Sequence, residues 1–289
     1  MGMMYHRMFL CCSSAILFLA SSCNGQPPIG VDPNSGAMVS SDGSDTTIAQ
    51  RFAPPTGFTR SVEMADGFGY FLRHLALEPA GTGVHLYNGS LKGRQDVHAA
   101  VIDMTVGEKD LQQCADAVMR LRAEYFFALD RFDDIHFRFT DGTLTNFGQW
   151  AQGTRYRVGG PHGTRAYITG VQGRSHGDLM NYLEVVFTYA GTLSLSKELA
   201  LDASSSLSIG DVFIKGGSPG HAVIVVDKAL SADGRTAFLL AQSYMPAQQI
   251  HVLKNTRQPE LGAWFMLEEH DRLYTPEWTF DWADRRRWP

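Results

Sequence analysis

The stretch that decides the fold is GDVFIKGGSPGHAVIVVD, residues 210–227. A Gly-Asp turn leads into the apolar run VFI, a glycine-rich loop follows, and a single histidine, His221, opens a second apolar run. Short apolar runs bounded by Gly and Pro are typical of buried strands. The segment therefore predicts two neighbouring strands, with His221 at the start of the second.

The sequence on either side predicts an α+β fold. Downstream, AFLLAQSY at 237–244 and QQIHVLKN at 248–255 continue the series of strands. Upstream, DLQQCADAVMRLRAEYFFAL at 110–129 carries apolar or small residues at helical spacing. Helices followed by a run of sequential strands indicate a helix packed on a mainly antiparallel sheet.

The N-terminal residues predict export and a lipid anchor. The apolar run MFLCCSSAILFLA at 8–20 follows a basic start; it is shorter than the roughly 20 residues of a membrane span and is typical of a signal peptide. The run ends in LASSC, so we interpret residues 1–22 as a lipoprotein signal peptide and Cys23 as the lipidation site. Ordinary signal cleavage nearby is the alternative. We expect a lipoprotein of the bacterial cell envelope, anchored to the membrane (periplasmic face or outer membrane) through Cys23.

Composition divides the remaining chain into a tether and one domain. Residues 23–50 are rich in Gly, Pro, Ser, Asp and Asn without periodic apolar positions, which is typical of a flexible linker. Residues 51–289 are predicted to form a single globular domain. The formal net charge of −5 argues against nucleic acid as a partner. The histidines lack metal-binding spacing, so we expect no metal and no cofactor.

Cys114 is the only cysteine in the predicted domain and lies near the start of the predicted helix. With Asp110 as the N-cap and Gln113 closing a capping box, Cys114 falls in the first turn. Unpaired N–H groups and the helix dipole stabilise a thiolate there, so we expect a lowered pKa and a nucleophile. The alternative is a buried core residue, because Cys114 also lies on the apolar stripe of the helix.

Strand pairing predicts a partner for the histidine. If Asp227 pairs with Thr236 across the intervening loop, His221 lies opposite Gln242 on the same face of the sheet, where the amide can orient the imidazole. A slip of one residue would substitute a neighbour of Gln242 and reverse the face. The sequence thus groups Cys114, His221 and Gln242 as a candidate catalytic set.

This order of motifs resembles the papain-like cysteine hydrolases of bacterial cell walls, the NlpC-type peptidases and CHAP amidases. The resemblance rests on LQQCADAVMRL, GDVFI, GHAVIVVD and AQSY, and it implies a papain-like, NlpC-type fold. It also implies that Cys114 attacks an amide or ester carbonyl, that His221 takes the thiol proton and that Gln242 holds the ring. The implied function is an amidase or peptidase acting on peptidoglycan-type amide bonds.

A second resemblance covers nearly the whole predicted domain. RFAPPTGFTR, YAGTLSLSKEL, LLAQSYMPAQQIHVL and TPEWTF, together with the helix and the 210–227 stretch, resemble an uncharacterised bacterial lipoprotein family, domain of unknown function 4846. That family implies no activity, and it agrees with the cell-envelope setting.

A non-catalytic envelope module on the same scaffold is the alternative function. The segment TNFGQWAQGTRYR at 145–157 would bind carbohydrate or peptide, with Trp150, Arg155 and Tyr156 contacting the ligand. Packing of these aromatic side chains in the core is the competing interpretation. Peptidoglycan fragments are the expected partner besides the membrane.

Overall fold

The structure, a computed structural model, describes residues 46–159, 162–201, 206–266 and 272–289. The predicted signal peptide, the lipidation site Cys23 and most of the predicted tether lie outside these residues. Val31–Pro289 form one compact unit that contains all the elements described below. Within the described ranges, no helix is both long and apolar enough to cross a membrane.

Short strands outnumber helices in the described residues. The helices are α1 (Ile48–Arg51), α2 (Phe68–Arg73), α3 (Cys114–Ala128), α4 (Phe147–Ala151), α5 (His176–Tyr189) and α6 (Thr192–Glu198). The strands are β1 (Phe58–Arg60), β2 (His98–Val101), β3 (His136–Arg138), β4 (Leu144–Asn146), β5 (Thr154–Arg157), β6 (Arg165–Ile168), β7 (Ala200–Leu201), β8 (Val212–Lys215), β9 (His221–Ser231), β10 (Thr236–Gln242), β11 (His251–Leu253), β12 (Phe265–Met266), β13 (Arg272–Tyr274), β14 (Thr279–Asp281) and β15 (Arg285–Arg287).

One nine-stranded sheet organises the fold. Its order is β2–β11–β10–β9–β8–β15–β7, while β1 also pairs with β9 and β12 with β10. The longest strand is β9, with 11 residues, and both β8 and β10 run antiparallel to it. The predicted succession of antiparallel strands after residue 210 therefore agrees with the structure. Three hairpins, β3–β4, β5–β6 and β13–β14, lie outside the sheet.

Both faces of the central strands are buried, because side chains alternate along them. From β9, Ala222, Ile224 and Val226 join the large core that α3 and α5 also contribute to. Val223 and Val225 face the opposite way, into a second and smaller core. Each fully buried Val or Ile stabilises the fold by about 1.5–3 kcal/mol. Because both cores lie within Val31–Pro289, this unit contains what it needs to fold on its own.

The prediction of a papain-like, NlpC-type fold is wrong. The structure is mostly antiparallel sheet with a few helices, and no papain-like arrangement is indicated. The sequence motifs that suggested this fold specify only the order of one helix and three strands. The outer strands β2, β7 and β15 come from distant parts of the chain, and the hairpins β3–β4 and β5–β6 intervene between α3 and β8.

The last residues of the predicted tether belong to the ordered fold. Thr47 accepts a hydrogen bond from the backbone N–H of Gln50 and so caps α1, and its backbone bridges to Ala76. Ile48 is fully buried in the large core. The fold therefore begins at least five residues before residue 51.

Two buried carboxylates connect distant segments to the sheet. Asp227 accepts hydrogen bonds from Arg60 Nε at 2.7 Å and from Arg73 Nε at 2.6 Å. Asp211 accepts one from Arg287 Nε at 2.6 Å. Both carboxylates are fully buried, so each depends on its arginine partners. Their role is structural, in agreement with their positions at a turn and within a strand.

Candidate active site

Helix α3 begins at Cys114, with Gln113 as its N-cap residue. Asp116 Oδ2 accepts a hydrogen bond from the backbone N–H of Gln113 at 3.0 Å, which satisfies a group that the helix leaves unpaired. The prediction of Asp110 as the N-cap is wrong. Its Oδ1 instead accepts hydrogen bonds from Gln113 Nε2 at 3.2 Å and from Ala247 N at 2.7 Å. Cys114 thus occupies the first helical position.

A cavity of about 420 Å³ lies at the start of α3, and both Cys114 and His221 line it. The glycine-rich loop at 217–220 forms another part of the wall. The described lining includes the carboxyl groups of Asp110 and Asp116 but no lysine or arginine. The remaining lining residues are Leu111, Gln113, Ala115, Phe187, Ala190, Gly191, Thr192, Tyr244, Met245 and Trp278.

The loop needs glycine where it passes close to α6. A side chain on Gly220 would collide with the Thr192 hydroxyl and with the carbonyl oxygens of Gly217 and Lys215. Gly217 has a φ of +115°, a conformation that L side chains rarely adopt. The glycines of GGSPG thus allow a close passage of backbone beside His221.

A chain of hydrogen bonds holds the imidazole of His221. Its Nε2 lies 2.8 Å from Gln242 Oε1, and Gln242 Nε2 donates to Glu277 Oε2 at 2.7 Å. Lys92 Nζ donates to the other carboxylate oxygen, Glu277 Oε1, at 2.8 Å. None of the four side chains is more than 8% exposed. We refer to Lys92, Glu277, Gln242 and His221 as the histidine relay.

The relay determines which nitrogen of His221 carries the proton. A carboxylate only accepts hydrogen bonds, so the Gln242 amide must turn its NH₂ group to Glu277 and its oxygen to His221. His221 Nε2 is then the donor, and Nδ1 keeps a free lone pair. His251 agrees with this assignment, because its Nδ1 lies 2.9 Å from the carbonyl oxygen of Gln249 and its Nε2 faces the Gln242 NH₂ group at 3.4 Å.

The predicted strand register is wrong, although the predicted contact is present. Thr236 pairs with Leu230 rather than with Asp227, and the pairing shifts by one residue between Leu239 and Leu240, where β9 contains one extra residue, Val226. Continuing the register places Gln242 two positions along β9 from His221, on the same face. Diagonal neighbours on one face are within reach of long side chains, and a glutamine side chain spans that gap.

His221 is neutral at pH 7. Burial lowers the pKa of His221 to about 4, and the positive charge of Lys92 lowers it further, while the hydrogen bond to Gln242 opposes the change. The ring contacts Tyr244 and Trp278, with centroids 4.9 and 5.5 Å apart. A neutral imidazole is the form that can accept a proton.

The sulfur of Cys114 lies in a less favourable environment. Burial raises the pKa of Cys114 to about 11, and the negative charge of Asp116 adds to the rise. The backbone N–H groups of Ala222, Ala115 and Cys114 itself oppose it. The expectation of a lowered pKa is therefore wrong, because burial outweighs the start of the helix. Among the described residues, no hydrogen bond joins the sulfur to the His221 ring.

Asp116 is a buried carboxyl without a cationic partner. It is 6% exposed, and its Oδ1 has no hydrogen-bond partner in the part of the chain that the structure describes. Burial raises the pKa of Asp116 to about 8, while the hydrogen bond from Gln113 opposes the change. The carboxyl is therefore largely protonated at pH 7, and it gains its charge only above that pH.

Three of the predicted ligand-binding residues lie away from the cavity. Trp150 is 6% exposed, and the guanidinium of Arg155 lies 3.8 Å from the centre of its ring. The hydroxyl of Tyr156 accepts a hydrogen bond from Asn146 N at 3.2 Å. The structure therefore brings Cys114, His221 and Gln242 together but leaves Trp150, Arg155 and Tyr156 elsewhere.

Sequence reasoning missed two members of the relay. Glu277 reaches the site from the segment before β14, and Lys92 reaches it from a loop before β2. The only sequence signal for Glu277 was TPEWTF, in which Glu277 lies between Pro276 and Trp278. The ring of Trp278 contacts His221. In the described residues, no three His, Cys, Asp or Glu side chains are grouped to hold a metal ion.

Comparison with known proteins identifies the family but no activity. The family model described as domain of unknown function 4846 matches residues 48–287, which extend from α1 to β15, so the chain belongs to this family. No curated protein and no solved structure matches the chain.

Proposed function

We propose that this member of the domain of unknown function 4846 family is a cysteine hydrolase, an amidase or peptidase that cleaves peptidoglycan-type amide bonds. One observation carries the proposal: the thiol of Cys114 and the imidazole of His221 line the same cavity, and the relay leaves His221 Nδ1 as a proton acceptor. A nucleophile, a base and a group that orients the base are the components of such catalysis.

The pKa values define how the reaction would begin. With His221 near 4 and Cys114 near 11, the resting pair is a neutral imidazole and a neutral thiol. His221 Nδ1 therefore takes the thiol proton as the sulfur attacks the carbonyl carbon, acting as a general base. Gln242 accepts from Nε2 throughout and stabilises the imidazolium that forms.

The subsequent steps use the same groups. The carbonyl oxygen becomes an oxyanion beside the backbone N–H of Cys114, which the first turn of α3 leaves unpaired within the helix. The C–N bond then breaks, and His221 returns its proton to the departing amine. Water, activated by His221, hydrolyses the thioester on Cys114 and releases the acid.

The cavity favours a ligand without negative charge near the sulfur. Its described lining includes the acidic residues Asp110 and Asp116, and no lysine or arginine is among the described residues of the wall. The aromatic rings of Tyr244 and Trp278 supply apolar contact for the ligand. A stem-peptide amide of the cell wall fits these properties and the export that the N-terminus predicts.

The location in the cell envelope is part of the proposal. Residues 1–22 direct export, and a lipid on Cys23 anchors the chain to the membrane. Metabolic labelling with a palmitate analogue tests this directly: the full chain gains the label and a Cys23→Ser variant does not. Equal labelling of both, or of neither, contradicts the anchor.

A binding module without catalysis is the second candidate. The observations that favour it are the 6% exposure of Cys114 and, in the described residues, the lack of a hydrogen bond from its sulfur to His221. In that case the cavity holds a peptide or carbohydrate between its aromatic rings, and the thiol is a core residue.

The experiment that tests the proposal uses Val31–Pro289 and purified muropeptides, with products identified by mass spectrometry. We expect cleavage by the wild-type unit, loss of cleavage in Cys114→Ala and His221→Gln, and retention in His251→Gln. His251 is the matched control, since it is fully buried beside Gln242 and does not line the cavity. Cleavage that survives Cys114→Ala contradicts the hydrolase, and binding without cleavage supports the second candidate.

A further inference from the structure

The segment from Gly142 to Gly177 has a charge distribution unlike the rest of the chain. It contains four arginines and two histidines and no aspartate, glutamate or lysine. Because the whole chain carries −5 and this segment carries +4, the remainder carries −9. The segment therefore carries a net positive charge within an acidic protein.

The hairpin β5–β6 places most of this charge on one face. In its register Arg155 lies opposite Tyr167 and Arg157 opposite Arg165, while Tyr156, opposite Ala166, points to the other face. Directly opposite residues share a face of the hairpin. We call Arg155, Arg157, Arg165 and Tyr167 the arginine face.

The arginine face has no acidic counterpart in the described residues. Arg157 and Arg165 are exposed, and neither forms an ion pair with a carboxylate in that part of the structure. Like charges directly opposite each other destabilise a strand pair. Some exposed arginines elsewhere do have such partners, for example Arg94 with Asp96 at 2.8 Å and Arg235 with Asp233 at 2.9 Å. An external anion would remove the repulsion that the hairpin tolerates.

Apolar side chains are exposed beside the guanidinium groups. Tyr167 lies on the arginine face and is 44% exposed, and Val171, whose carbonyl oxygen accepts a hydrogen bond from Arg155 Nη2 at 3.1 Å, is 64% exposed. A soluble polyanion such as nucleic acid gains little from aliphatic side chains. A membrane surface uses both features, since anionic headgroups attract arginines and the boundary of the acyl chains accepts apolar and aromatic side chains.

We propose that the arginine face of the β5–β6 hairpin, with Val171, binds a membrane surface that contains anionic phospholipids. This contact is separate from the proposed lipid on Cys23 and from the cavity at Cys114. It places the basic β5–β6 hairpin against the bilayer. The acidic remainder of the domain then faces away from the anionic lipids. The contact does not depend on the hydrolase activity.

The test uses Val31–Pro289, which lacks Cys23, and phosphatidylcholine vesicles with and without phosphatidylglycerol. We expect sedimentation with the anionic vesicles alone, weakening as salt is added. Because each arginine near an anionic surface adds favourable energy, Arg157→Gln with Arg165→Gln should weaken binding on the order of thirtyfold. Val171→Ser should weaken it on the order of tenfold, through loss of apolar contact.

The matched control is Arg94→Gln with Arg235→Gln, which changes the net charge equally on exposed arginines outside the hairpin and leaves vesicle binding within about twofold. The hairpin double variant keeps its melting temperature, because it removes a like-charge pair. Failure of the wild-type unit to bind anionic vesicles overturns the proposal. So does equal weakening by both double variants, or binding to polyphosphate or DNA without binding to vesicles.

Discussion

The two sides of the cavity differ in how their polar groups are satisfied. On the histidine side, Lys92, Glu277, Gln242 and His221 form a continuous chain of hydrogen bonds with one full charge balanced by another. On the cysteine side, the thiol is buried beside a carboxyl whose Oδ1 has no partner in the described residues. The imidazole of His221 is therefore held in one orientation, while the thiol of Cys114 is held in its protonated form.

The difference shows what determines the properties of a buried carboxyl. Glu277 lies against Lys92 and orients an amide, and Asp227 is held by two arginines. Asp116 has no cationic partner among the described residues, and burial raises its pKa to about 8. A carboxyl group thus forms a buried ion pair on the histidine side, while on the cysteine side Asp116 has none in the described residues.

The largest expected effect follows from removing the carboxylate of Glu277 from the histidine relay. Glu277→Ala leaves Lys92 as an uncompensated buried charge and frees the Gln242 amide to turn over. Removing one partner of a buried ion pair costs about 3–5 kcal/mol of unfolding free energy. Urea unfolding of Val31–Pro289 measures the change. Asp96→Ala, which removes an exposed ion pair, should cost less than about 1 kcal/mol. Similar losses in the two variants would contradict the relay.

The second effect is a loss of stability in acid. The pKa of His221 falls to about 4 and that of His251 to about 3 in the folded protein, from the ordinary value of about 6.5 for histidine. The unfolded chain then binds more protons, so this stability is fully present above pH 6.5 and is lost as the pH falls towards 4. We expect up to about 3 kcal/mol per histidine.

Urea midpoints measured from pH 8 to pH 4 test this linkage. His251→Gln should flatten the acid limb of the curve, whereas His136→Gln, at a largely exposed histidine, should leave it unchanged. An acid limb of the same slope in all three proteins would show that the buried histidines are not its cause.

The third expected effect is a change in the pKa of Cys114. Asp116→Asn keeps an oxygen for the N–H of Gln113 and removes the charge that disfavours the thiolate. We expect the pKa of Cys114 to fall by about one unit, with alkylation up to about tenfold faster above pH 8, where Asp116 is charged. Rates below pH 7 should change little. An unchanged pKa of Cys114 would show that the charge of Asp116 does not affect the thiol.

Local patterns in the sequence predict the parts of the fold that depend on neighbouring residues. The apolar runs VFI, HAVIVVD and AFLLAQ became β8, β9 and β10, and the helix starts three residues later than an N-cap at Asp110 predicts. The order of these motifs also pointed to the pair that the structure brings into one cavity, Cys114 and His221.

Features that depend on tertiary packing could not be predicted in this way. The predicted register was wrong because it assumed that Thr236 pairs with Asp227. Thr236 instead pairs with Leu230, and the pairing shifts again between Leu239 and Leu240. The pKa of Cys114 depends on burial, which the helix pattern alone does not give. Glu277 belongs to the site only because a distant segment returns across the sheet. The overall fold was missed because its outer strands lie outside the motifs.

The most direct test of the central claim is the rate at which iodoacetamide alkylates Cys114 between pH 6 and pH 11, in the wild type, in His221→Gln and in His251→Gln. If His221 accepts the thiol proton, the first variant should react roughly a hundredfold more slowly near neutral pH, while the second matches the wild type. Identical profiles for all three proteins would contradict a coupled thiol and imidazole and would leave Cys114 as a residue of the core.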